Sequence, residues 1–342
     1  MKMFAAFFAL LLACVPSTAT PASAESPPDW AYPKPTPGQK LAPDDGVPRR
    51  VPDSNATYTL TQLRDRFVSP IWHPDEIPPQ PEVVARGRKP DVYACGFCHR
   101  ADGPGGPENA NLTGLPAAYI VQQMVDFKSG ARKSLVPDRP PAILKATLAK
   151  AITDAEVEAA AAYFSSVKAR SNVRVVEANE VPKTYFTMAS YLAVLKGGEK
   201  EPIAGRLIEV PENAEQFGYR DTRARFIAYV PPGSISKGQA LATTGGGGKT
   251  EQCSTCHGPD LRGLGPIPGI AGRSPTYMVR QLHDFKHGAR AGVGSALMKA
   301  SVEKLTLEDM IALAAYAGSL APQLPRVESG RPLPRPYKDL VS

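Results

Sequence analysis

Apolar and polar positions along the chain alternate with a helical period in several stretches. Tyr119, Ile120, Gln123, Met124 and Phe127 recur at i, i+1, i+4, i+5 and i+8, which predicts a helix from about Ala117 to Phe127. Thr153-Asp154-Ala155-Glu156 reads as a capping box opening a second helix to about Val167. Leu60, Leu63 and Phe67 share one side of a shorter helical candidate, Leu60 to Phe67. Two apolar runs, Arg206 to Val210 and Arg225 to Val230, fit short strands that could pair as a hairpin.

The pattern then repeats. Tyr119 to Arg132 matches Tyr277 to Arg290 with nine identities in fourteen positions, and Thr153–Val167 matches Thr306–Leu320, sharing Ala-Ala-Tyr. A duplicated helical unit is expected, spanning 83–169 and 237–321. The stretch between them, 170–236, is too long for a simple linker and is expected to be a partly β insert. Proline crowds residues 25–82 and returns in 322–342, predicting an extended arm without a core of its own and a wrapping tail. Trp30, Tyr32 and Trp72 suggest that parts of the arm dock. Residues 1–24 read as an export signal, with an apolar run from Phe4 to Val15 and Ala22-Ser23-Ala24 before Glu25. A lipidated Cys14 is the alternative reading of that segment.

Composition refines this only slightly. Of 342 residues, 42% are hydrophobic and 21% charged, which suits about two globular domains, and the 36 prolines rule out helix throughout. The net charge of +7 is not gathered into basic clusters interleaved with aromatics, so nucleic acid is a poor partner.

The chemistry lies in Cys95-Gly96-Phe97-Cys98-His99 and Cys253-Ser254-Thr255-Cys256-His257, one in each repeat and each 20 residues before the matching tyrosine. C-x-x-C-H is the attachment run of a c-type haem. Two thiols three residues apart lie on one side of a helical turn and can both form thioethers with one porphyrin, while the histidine meets iron from below. A redox disulfide or half a zinc site would also use C-x-x-C, but the doubled run with its shared downstream sequence favours two haems c.

With C-x-x-C-H, the Tyr-x-Val-x-Gln-x-x-Asp-Phe-Lys-x-Gly-Ala-Arg run and the Ala-Ala-Tyr helix together, the chain resembles class I c-type cytochromes. The duplication resembles the dihaem c4 type. That resemblance implies an all-α fold of two tandem haem domains, periplasmic electron transfer, and a methionine drawn from the loop before the last helix. In 291–304 this is Met298. Lining up 296–301 with 142–147 puts Leu144 where Met298 stands, so the sixth ligand of the first haem must come from elsewhere. Met188 is the first choice, with Lys145, His73 or an open position as alternatives. Met124, Met278 and Met310 read as core. His283 and His287 read as surface histidines, though their spacing could bind a metal. Arg132 and Arg290 could pair with haem propionates or hold a helix end. No nucleotide-binding or nucleophile motif is present. The expected function is a single-electron carrier between redox proteins such as a dehydrogenase, a cytochrome complex or a terminal oxidase, with membrane association through a partner or a lipidated Cys14. A dihaem peroxidase-like enzyme, with the first haem open, is the second reading.

Overall fold

A computed structural model describes residues 26–187 and 192–322. The first helix, α1 (Leu60–Arg64), opens on a reciprocal cap between Thr59 and Gln62. It stops short of Phe67 because the Asp65 carboxylate accepts the Phe67 N–H at 2.9 Å, diverting the backbone from the helix. Leu63 packs with Val51 and Trp72 in a small cluster. The arm was expected to have no core. It has this one, completed by Tyr219 from far along the chain, whose carbonyl accepts the Trp72 indole N–H at 2.7 Å. Trp30, Ala31 and Tyr32 go further and enter the core around the second repeat.

The first repeat contains α2 (Glu82–Ala85), a small hairpin of β1 (Gly87–Arg88) and β2 (Val92–Tyr93), then α3 (Cys95–His99), α4 (Ala117–Ser129), α5 (Pro140–Ala151) and α6 (Asp154–Ser166). Pro81 and Gly87, the latter at φ +66°, confine α2 to one turn. The Thr153–Glu156 capping box starts α6 as expected. Val84, Val92, Leu148 and Phe164 centre this core.

The insert carries most of the sheet. Strands β3 (Val173–Glu177), β4 (Glu180–Pro182), β5 (Thr184–Phe186), β6 (Leu192–Val194), β7 (Lys200–Pro202), β8 (Ile208–Pro211) and β9 (Phe226–Val230) surround a short α7 (Ala214–Gly218). The two expected strands do pair, antiparallel, with Ile208 opposite Tyr229, but α7 separates them, so they form no tight hairpin. On its other side β9 runs parallel to β3, with Val173 opposite Phe226. That pairing joins residues too distant in sequence for local pattern to show.

In the second repeat α8 (Ser234–Thr244) precedes α9 (Cys253–His257), α10 (Pro275–Lys286), α11 (Ser295–Val302) and α12 (Leu307–Ser319). Helix α8 crosses α12 at Gly238, where an added Cβ would lie 1.9 Å from the Ala312 carbonyl oxygen. Both segments expected as loops before the last helix are themselves helical, α5 and α11. Pro140 and Pro141 start α5, and Ser-Ala-Leu-Met-Lys-Ala consists mainly of strong helix formers.

The two repeats meet through equivalent residues. Arg132 and Arg290 form an antiparallel bridge, flanked by Lys133 N–H to the Ala289 carbonyl and Ala291 N–H to the Ala131 carbonyl, both 2.7 Å. The Arg132 guanidinium donates to Tyr277 and Gln281 across the seam, at 2.9 and 2.8 Å. Arg290 reciprocates with Gln123 at 2.8 Å and lies 3.5 Å from the Tyr119 hydroxyl.

Candidate cofactor site

Helices α3 and α9 place Cys95, Cys98 and His99, and Cys253, Cys256 and His257, in matching local settings. His99 Nδ1 lies 2.8 Å from the Ala110 carbonyl oxygen, and His257 Nδ1 lies 2.8 Å from the Pro268 carbonyl oxygen. Each acceptor is eleven residues after its histidine. A ring that donates its Nδ1 proton to a carbonyl is fixed in orientation and keeps Nε2 as its basic nitrogen, the arrangement metal-binding imidazoles use. Burial pushes His99 down to about 3, helped by the Lys145 charge, and lowers His257 as well. Both rings are therefore neutral at neutral pH, the ligating form. Burial also raises the Cys95 and Cys253 thiols to about 11 and raises Cys98. Reactive thiolates need the opposite shift, so burial at these three sulfurs disfavours redox exchange. Among the described residues no group of three or more His, Cys, Asp or Glu could hold a metal ion, which a closed zinc site would need.

A single cavity of about 1490 Å³ runs across the seam, lined by His99 toward one end and by Cys253, Cys256, His257 and Met298 toward the other. It exceeds the roughly 300–1,000 Å³ typical of a pocket for one small ligand. A smaller space of about 60 Å³ adjoins Cys95, Cys98, His99, Leu144 and Lys145. The donor set and this shape fit a covalently held haem at each C-x-x-C-H helix.

Met298, half-buried on α11, lines the cavity and packs against the second core. Met188 lies outside the described residues; Phe186, two positions earlier, packs against that same second core. Lys145 lines both spaces, and burial lowers its amine from the ordinary lysine value. His73 is elsewhere, buried with Nε2 3.2 Å from Asp221 Oδ1. Met124 lines the cavity while packing on the first core, and Met278 and Met310 are buried in the second, as expected of core methionines. The surface reading of His283 fails: its side chain is 1% exposed, with its ring centroid 4.3 Å from that of His287. Tyr32 from the arm covers this face of α10, so a position polar by pattern is buried by a distant segment.

Arg132 and Arg290 line the cavity, but their described partners are the seam tyrosines and glutamines and not a helix end. Those partners, Tyr119, Gln123, Tyr277 and Gln281, escaped notice as site residues although all four sit in the repeated run. The insert also reaches the site. Arg220 donates to the Phe97 carbonyl at 2.7 Å and stacks 3.6 Å over the Phe97 ring, bracing α3. Arg100, at φ +68° where the second repeat has Gly258, is held by the Gly105 carbonyl at 2.9 Å and by the Phe217 ring. Those contacts offset the strain of a side chain in a glycine-like conformation.

Known proteins agree with this chemistry. The family model described as Cytochrome c matches residues 235–321. Cytochrome c4 of Stutzerimonas stutzeri is 24% identical over 238 residues, 67% of this chain and 85% of that protein. The thiosulfate dehydrogenase electron acceptor of Thiomonas intermedia is 25% identical over 221 residues, 64% of this chain and 74% of that protein. Cytochrome c-554(548) of Halomonas halodenitrificans is 39% identical over 72 residues, 21% of this chain but 87% of its own length. With paired thiols and an oriented imidazole in each repeat beside one shared cavity, the chain belongs to the cytochrome c family and is similar to the cytochrome c4 type.

Proposed function

We propose that the protein is a periplasmic dihaem electron carrier, exported by its first 24 residues and built of two haem domains, 83–169 and 237–321. The observation that carries this reading is the equivalence of α3 and α9, two C-x-x-C-H helices with identically bonded histidines opening on one cavity. Bound haem supplies reversible one-electron chemistry. Cys95, Cys98, Cys253 and Cys256 would tether it, and His99, His257 and Met298 would supply ligands to its iron. Thioether sulfur favours the ferrous state and raises the potential. The apolar walls exclude water, and Arg132 and Arg290 bring positive charge to the cavity, where it would favour the cofactor's carboxylates. A redox enzyme such as a dehydrogenase is the natural donor, in keeping with the relative named as a thiosulfate dehydrogenase electron acceptor. Among the described residues no helix is long and apolar enough to cross a membrane. A haem count by pyridine haemochrome with a reduced-minus-oxidised spectrum tests the reading: two haems c per chain are expected, and none or one overturns it.

Leu144 in place of a methionine favours a second reading, a peroxidase-like enzyme with an open first site. Peroxide turnover accompanied by a high-spin ferric signal from one haem would select it over the carrier.

A further inference from the structure

We infer that Lys145 is the sixth iron ligand in the first repeat, so that the two sites are His/Lys and His/Met. The inference rests on the reading that Cys95, Cys98 and His99 hold a haem. Leu144 occupies the place of Met298 and has no donor atom, but the next residue does. Lys145 on α5 and Lys299 on α11 hold equivalent positions in Ala-x-x-Lys-Ala. Their surroundings differ. Lys299 is exposed and outside the cavity lining, whereas Lys145 is half-buried and lines both the large cavity and the small space beside Cys95, Cys98 and His99. Among the described residues Lys145 makes no ion pair or hydrogen bond; its Nζ lies 5.8 Å from the Phe127 ring centroid. A partly buried amine with no described hydrogen-bond acceptor thus lines the same space as the thiols and imidazole of a haem-attachment helix.

The rivals are placed less well. His73 is buried and engaged by Asp221 at the arm–insert contact, outside the lining of either space. Met124 belongs to α4, and its counterpart Leu282 lines the cavity in a repeat that has Met298 for a ligand. Ligation takes the neutral amine: one proton leaves to solvent, the nitrogen lone pair forms the bond to iron, and no electron changes hands. Nitrogen is a harder donor than sulfur, so the first site should have the lower potential of the two.

The test uses the full holoprotein and its Lys145→Ala, Lys145→Met, Met188→Ala and Met124→Leu variants, each with its haem count. Ferric EPR and near-infrared magnetic circular dichroism identify axial ligands without an activity assay. Expected in the wild type are two low-spin haems, one with the methionine-to-iron charge-transfer band and one with an amine signature. Lys145→Ala should lose the amine signature and leave half the haem high-spin, with the methionine band unchanged. Lys145→Met should double the methionine band and raise the lower potential. Met188→Ala and Met124→Leu should leave both signatures intact. Two methionine bands in the wild type, a spectrum unmoved by Lys145→Ala, or loss of the first ligand in either methionine variant would overturn the assignment while leaving the dihaem reading standing. A count of one haem, attached at Cys253 and Cys256, would overturn both.

Discussion

Met298 reaches the cavity from a helix, so its contribution can be separated from that of the attachment residues. Met298→Ala should keep both thioether links and the full haem count, abolish the methionine charge-transfer band, and lower the potential of one haem. It should also cost about 2 kcal/mol of stability, the low end for removing a core methionine, because the side chain is only half-buried. Glu156 gives a pH-dependent counterpart. The Arg88 guanidinium beside it, with the Thr153 cap, holds its carboxyl down to about 2 from an ordinary 4.5. A depressed carboxylate stabilises fully above its unfolded value and loses that contribution as pH falls through the folded one. Thermal midpoints of the wild type and Arg88→Met should therefore differ most above pH 4.5 and converge as pH approaches 2. At this scale the sequence was highly legible. C-x-x-C-H singles out four sulfurs and two imidazoles, which fall on two matching helical turns with matching histidine–carbonyl contacts. It could not reveal the burial of His283, which Tyr32 covers from 251 positions away.

At the scale of elements, helices α4, α6, α10 and α12 follow from periodicity and caps, and their boundaries lie within a few residues of expectation. What sequence pattern missed has one physical character: it depends on contacts between distant segments. The parallel β3–β9 pairing is one case. The crossing of α8 on α12 is another, and it puts weight on Gly238, a residue that by propensity weakens its own helix. With a backbone carbonyl 1.9 Å from where a Cβ would stand, Gly238→Ala must push the helices apart. A loss of about 1–3 kcal/mol is expected, the cost of overpacking, despite alanine's better propensity. Chemical denaturation would measure it; equal or greater stability would mean the crossing relaxes freely. The first repeat has no equivalent crossing, since α2 is a single turn between Pro81 and Gly87. There the insert braces the site instead, through Arg220 on Phe97 and the Phe217 ring against Arg100.

For the whole molecule, duplication decides how the halves join. Arg132 and Arg290 each donate to the half-buried Gln123 and Gln281, one from each repeat, so the two guanidiniums serve the same pair of acceptors. Arg132→Ala should cost about 1 kcal/mol, and the double variant with Arg290→Ala should cost more than the sum of the singles, because either arginine alone still serves Gln123 and Gln281. A double-mutant cycle by denaturation reads this coupling, and strict additivity would show the two arginines to be independent.

Tyr32 donates to Asp284 at 2.8 Å across 252 positions of chain. The core around α10 is thus completed by a segment far away in the chain, and closing so long a loop is entropically costly and slow. Contacts of residues 30–32 should therefore be among the last to form, and hydrogen-exchange labelling during refolding should protect them later than the helices that receive them.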